Sequence, residues 1–236
     1  MDSDQRRLLA TMPLHAITSA YGEAGLRERF TAETATLPDA GRRRADAALD
    51  LAARLHAGDR RDAEPYVNHL LRVAIRIMSH YGVRDPDVIC AALLHDAAED
   101  HRAELSRGGG QHEALAVLAA RFGPRVAELV AAVTNPVYAP DRDPHEQYRE
   151  HVAASLGRDP WARVIKASDF ADNGAGLIHT TGPKLRRLAG KYAPLVPVLR
   201  ELIGRPDTPL DEAAKDRILA QLDRAATRFA AVLGEG

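Results

Sequence analysis

Four side chains able to ligate a divalent cation, His69, His95, Asp96 and Asp169, each stand at the edge of a short apolar run. His95-Asp96 closes the run Val88-Ile89-Cys90-Ala91-Ala92-Leu93-Leu94, which sets an imidazole beside a carboxylate at the polar end of a buried segment. That pair is a mixed nitrogen and oxygen donor set of the kind divalent transition metals accept. Glu99 follows four residues after His95, on the same helical face, with Asp100 next to it. Carboxylates so placed can orient and deprotonate an attacking water. His69 lies four residues before Val73, at the edge of another apolar stripe, and Asp169 follows Val164-Ile165-Lys166-Ala167-Ser168. Taken singly, each has an ordinary reading. A lone histidine on a helix edge is usually a satisfied core or surface residue, and a lone aspartate is usually a cap or an ion-pair partner. By pattern alone the metal reading and the ordinary one stand level.

Helices must position these groups. Ala48, Leu49, Ala52 and Leu55 recur at helical spacing from Ala45 to Ala57, and Gly58 closes that segment. A polar turn runs from Gly58 to Glu64. Pro65 then opens a helix with Leu70, Val73, Ala74 and Ile77 on one stripe, ending near Gly82. A third helix is expected from Asp85-Pro86 to about Glu99. Further helical patterns cover 113–122, 124–133, 146–156 and 161–172, with a proline-bearing loop over 135–144. The first forty residues read as one or two short helices broken near Tyr21-Gly22 and Pro38-Asp39. From Lys184 to Leu233 two patterns are separated by Gly204 to Pro209. No strand is expected, so the fold class is all-α. The three glycines Gly108 to Gly110 lack the Gly-Lys-Ser/Thr ending of a phosphate-binding loop.

Composition narrows the function classes. The chain of 236 residues is 45% hydrophobic but only 5% aromatic, so its core is built mainly from Ala, Leu and Val, which favours packed helices. With 32 basic against 33 acidic residues, no global field directs it to nucleic acid or an acidic membrane. The single cysteine, Cys90, excludes an internal disulfide and reads as a buried, inert thiol. No signal-like or membrane-spanning stretch is present, which points to a cytoplasmic protein.

The stretch from Ala53 to Asp100, with Leu55-His56, Glu64-Pro65-Tyr66, His69, Ala91-Ala92-Leu93-Leu94-His95-Asp96 and Glu99-Asp100, resembles the hydrolase domain of the RelA/SpoT alarmone enzymes and their small single-domain relatives. The resemblance continues through Arg121-Phe122-Gly123 to Val133-Thr134 and ends in Ile165-Lys166-Ala167-Ser168-Asp169 and Asn173. It implies an HD-domain helical bundle over residues 45–180; residues 1–44 and 181–236 read as helical extensions outside it, and the helices after Lys184 can cap the site or form a homodimer face. It implies that His69, His95, Asp96 and Asp169 hold a divalent metal, manganese in that family, and that Glu99 and Asp100 form the catalytic acidic pair. Arg61, Tyr66, Lys166 and Asn173 fall on substrate-contacting positions. His56 is read as a packing residue, and His80, His101, His112 and His145 as solvated.

Three departures bear on the substrate. Asp62 stands where the family has lysine, Phe170 where it has arginine, and Gly174-Ala175-Gly176 follows Asn173. A carboxylate at position 62 repels a pyrophosphate, and the other changes reshape the nucleoside side. The leading expectation is a small alarmone hydrolase that removes 3′-pyrophosphate from ppGpp or ppApp. The alternatives are an HD phosphatase acting on another nucleotide, such as a nucleoside monophosphate or NADPH, and a non-catalytic nucleotide sensor. Nucleic acid and membrane are not expected partners.

Overall fold

The computed structural model describes residues 3–61, 64–175 and 182–234; Asp62 and Gly176, two of the departures above, lie outside them. The chain divides into two compact units, Met1–Ala131 and Ala132–Gly236.

The first unit opens with α1 (Ser3–Thr11), α2 (Leu14–Thr34) and α3 (Asp39–Leu55). The break expected near Tyr21-Gly22 is a kink inside α2, where Gly22 adopts φ +60°. That conformation costs glycine little and other residues a good deal. A short hairpin, β1 (Arg60–Arg61) paired antiparallel with β2 (Glu64–Pro65), follows and leads into α4 (Val67–Ser79). The sequence reading expected no strand. The pairing arises because the chain must reverse between two helices, and Arg61 opposite Glu64 closes that reversal in register.

Helix α4 is buried along almost its whole length, from Val67 to Met78. A helix buried on nearly every side lies in the centre of its unit, and α4 packs against α2, α3 and α5 (Pro86–Leu94). Its polar exceptions, Asn68, His69, Arg72 and Arg76, are buried with it. Helix α5 starts cleanly because the Asp85 carboxylate accepts from the Asp87 N–H at 2.9 Å and Pro86 occupies the first turn. Every residue from Val88 to Leu94 is then fully buried. Each large apolar side chain so buried contributes about 1.5–3 kcal/mol.

The helix expected to run on to Glu99 stops at Leu94 and resumes as α6 (Ala97–Asp100). The interruption falls on His95-Asp96, where Asp96 has φ −95° and ψ −8°. The Asp96 carbonyl then accepts from both the Glu99 and the Asp100 N–H. Helices α7 (Arg102–Leu105), α8 (Gln111–Phe122) and α9 (Pro124–Val133) follow, the last reaching into the second unit.

The second unit contains α10 (Pro144–Arg158), α11 (Pro160–Ala175), α12 (Gly182–Tyr192), α13 (Leu195–Gly204) and α14 (Glu212–Leu233). Aspartates cap two of these, Asp143 on the Glu146 N–H and Asp211 on the Ala214 N–H. Where two helical patterns were expected beyond Lys184, three helices form. The additional break is at Ala193-Pro194, because a residue before proline is pushed out of the helical region. Helix α11 is fixed by Arg163, fully buried, whose guanidinium donates to the Leu156 carbonyl and to Asp207 and Thr208 beyond α13. Apart from the hairpin, the described elements are helical, and no helix among the described residues is long and apolar enough to cross a membrane.

Candidate metal centre

In the first unit, His69 rises from the first turn of α4, and His95 and Asp96 occupy the interruption between α5 and α6. Consecutive side chains on an unbroken helix point about 100° apart. The interruption lets these two converge: His95 Nε2 lies 3.1 Å from Asp96 Oδ2, and His69 Nε2 lies 3.9 Å from the same oxygen. The two imidazole centroids are 5.3 Å apart, and both rings are buried. His95 Nδ1 is 2.8 Å from the Ala92 carbonyl. A carbonyl can only accept, so Nδ1 carries the proton and the Nε2 lone pair faces Asp96. Two imidazole nitrogens and a carboxylate oxygen, one of them tautomerically set, fit a divalent metal.

Tyr66 helps fix this grouping. Its hydroxyl donates to Asp96 Oδ2 at 2.6 Å, and its ring stands edge-on to His69 with centroids 5.5 Å apart. Upstream, the buried Arg72 guanidinium grips both oxygens of Glu64, at 2.9 and 2.7 Å, and Asn68 donates to Glu64 at 3.0 Å. The Glu64-Pro65-Tyr66 turn is thereby tied to the helix that carries His69. Glu99 is half-buried on α6, and Asp100 is exposed. Packing around the Asp100 carboxyl, with the Asp96 and Glu99 charges adding, pushes it up to about 6. Arg61 lies half-buried in β1.

Asp169 belongs to the second unit, on α11, and is buried. There it gathers two of the side chains singled out above: Lys166 Nζ donates at 2.9 Å and Asn173 Nδ2 at 2.6 Å. Burial pulls the Lys166 ammonium down, but the adjoining Asp169 carboxylate more than compensates, so its pKa stands well above the ordinary lysine value. Lys166 and Asp169 thus form a charged, hydrogen-bonded pair. Phe170, where the resembling family has arginine, is buried among aromatic rings, edge-on to Tyr192 and to Phe229 with centroids 5.9 and 6.2 Å away.

Two features lay outside the sequence reading. One is the Arg72–Glu64 clamp, whose signal was a charged residue inside an otherwise apolar helix. The other is His101, read as solvated. It is half-buried, and its Nε2 sits 2.7 Å from Asp59 Oδ2, the same oxygen that His56 Nδ1 approaches to 2.7 Å. His56 is buried and stacked on Tyr66, with centroids 4.7 Å apart. Burial lowers its pKa against the opposing pull of the Asp59 hydrogen bond. Cys90 is fully buried and its thiol is pushed up to about 12, as an inert core thiol requires.

A helical fold with adjacent His and Asp at a helix interruption, and a further His one helix earlier, matches the HD-type arrangement expected from the sequence. A family model described as HD domain matches residues 48–155, somewhat less than half of the chain. Among curated relatives, the human guanosine-3′,5′-bis(diphosphate) 3′-pyrophosphohydrolase MESH1 is 35% identical over 126 residues, 52% of this chain and 63% of that protein. The zebrafish (Danio rerio) MESH1 is 37% identical over 125 residues, 51% of this chain and 62% of that protein. The guanosine-3′,5′-bis(diphosphate) 3′-pyrophosphohydrolase of Aquifex aeolicus is 33% identical over 141 residues, 58% of this chain but 18% of that longer protein. The chain thus spans somewhat less than two thirds of the MESH1 relatives it matches. A solved structure described as a metazoan ortholog of SpoT that hydrolyzes ppGpp superposes with a TM-score of 0.62 at 25% identity, covering 82% of this chain and 97% of that one.

Proposed function

We propose that this chain is a divalent-metal-dependent phosphohydrolase of the cytoplasm that removes pyrophosphate from the 3′ position of a hyperphosphorylated nucleotide of the ppGpp or ppApp type. The observation that carries the reading is the meeting of His69, His95 and Asp96 in the first unit, with the lone pair of His95 Nε2 directed at Asp96. Asp169 is the fourth ligand in this proposal, its charge secured by Lys166 and Asn173. The similarity to pyrophosphohydrolases over about half the chain supplies the substrate class.

Manganese is the metal we assign; when bound it withdraws charge from the phosphoryl group and acidifies water. The chain's own residues account for the remaining chemistry. Glu99, with Asp100 beside it, orients the attacking water and takes its proton. Lys166 and Arg61 offset charge on the pyrophosphoryl group as it is transferred from the ribose 3′-oxygen to water. Tyr66 holds Asp96 in position through its hydroxyl. The functional core assigned to residues 45–180 contains all of these groups.

One observation favours a second reading with the same fold and metal. Phe170 packs into an aromatic cluster, so this position offers the nucleotide no cation. That suits an HD phosphatase for a different nucleotide. Phosphate and pyrophosphate release by the manganese-loaded protein from ppGpp, ppApp, NADPH and AMP separates the two. Pyrophosphate from either of the first pair is the expected result; phosphate from NADPH or AMP alone would replace the alarmone assignment by the second reading.

A further inference from the structure

We propose that His56, Asp59 and His101 form a second divalent-cation site, of zinc-accepting type, within the first unit. One donor atom from each of the three residues lies within 4.8 Å of the others. Both imidazoles converge on one carboxylate oxygen, with His56 Nδ1 and His101 Nε2 each 2.7 Å from Asp59 Oδ2. Two imidazole nitrogens and a carboxylate oxygen are ligands that zinc takes at about 2.0–2.2 Å, in a tetrahedron completed by water or a fourth side chain. Magnesium and calcium, which demand oxygen donors, are disfavoured here.

Local structure prepares the three donors. His56 follows the last residue of α3, Asp59 comes three residues later in the turn before β1, and His101 lies between α6 and α7. Each is at an element boundary where the backbone has already left the helix. The His56 ring is buried between Tyr66, stacked at 4.7 Å, and His101, edge-on at 4.4 Å, so it reaches the cluster in one orientation. The Glu104 carboxylate stands 3.5 Å from His101 Nδ1. A carboxylate on the far nitrogen of an imidazole orients the near nitrogen toward a metal. Binding requires the two nitrogens to exchange their hydrogen-bond contact with Asp59 for bonds to a shared cation, a small opening of the cluster. The site differs in all three ligands from the His69, His95 and Asp96 grouping. It communicates with it through Tyr66, which stacks on His56 and donates to Asp96.

Zinc content of the full-length chain after loading and exhaustive buffer exchange, together with zinc-edge X-ray absorption, tests the site. Wild type should hold two zinc ions, and His101→Gln and Asp59→Asn one each, with the protein still folded by circular dichroism because both side chains are partly exposed. Asp96→Ala should also retain one zinc, now with two imidazole ligands. Two zinc ions in His101→Gln, or one in wild type that Asp96→Ala removes, would overturn the proposal and leave a hydrogen-bonded His–Asp–His trio only. Because each site is emptied by its own variant, failure here is distinguishable from failure of the first site.

Discussion

At the scale of single residues, the centre depends on groups that hold the ligands as much as on the ligands. The Tyr66 hydroxyl, 2.6 Å from Asp96 Oδ2, is such a group. Outer partners of this kind are worth about 10–100-fold in metal affinity. Tyr66→Phe should therefore weaken manganese binding about tenfold while preserving the fold, as read by isothermal titration; unchanged affinity would show that Asp96 is positioned without it. Asp100 gives a prediction in pH. Its folded-state pKa, about 6, exceeds its value in the unfolded chain, so the folded state holds the extra proton in that window. Stability of the metal-free protein should fall as pH rises from about 4 to about 6 and level off above. The residue is exposed, and solvent screening reduces the effect to about 1 kcal/mol. Asp100→Asn should flatten that slope in melting curves; an unaltered slope would place the titration elsewhere. The proposed ligands were legible in the sequence because each stood at the edge of an apolar run that had to be buried. His101 was not, because its partner Asp59 is 42 residues away and no periodicity links a turn to a helix boundary.

At the scale of elements, two features decide the site: the interruption after Leu94 and the clamp on the turn before α4. Periodicity predicted one helix through Glu99, since apolar spacing carries on across the break. It has no means of registering that Asp96 leaves the helix by a modest rotation of ψ. The clamp was equally hidden, because a charged residue in an apolar stripe reads as a flaw until its partner is seen. Arg72 is 2% exposed and its partner Glu64 is half-buried. Removing one member of such a pair leaves the other charge uncompensated and costs about 3 kcal/mol. Arg72→Met should lose about that much in denaturant unfolding, whereas pairing it with Glu64→Leu should recover a large part. Additive losses in that double-mutant cycle would mean the pair does not act as a unit. In the second unit, Pro194 marks the break between α12 and α13, but the flanking Leu and Val spacing continues through it and so reads as one helix.

At the scale of the whole molecule, the helical class followed from an aliphatic, aromatic-poor composition, and the similarity to the HD-domain model over residues 48–155 agrees with it. The substrate is less legible, since Asp62 lies outside the described residues and Phe170 is turned into an aromatic cluster. We propose that one catalytic metal is held by residues far apart in the sequence, His69, His95, Asp96 and Asp169. The most direct test is manganese binding, followed by electron paramagnetic resonance, measured beside ppGpp turnover for Asp96→Ala, Asp169→Ala and Glu99→Ala. Loss of both tight manganese and turnover in the two aspartate variants, with manganese kept and turnover lost in Glu99→Ala, is the predicted result. An Asp169→Ala chain that binds manganese and turns over like wild type would contradict it.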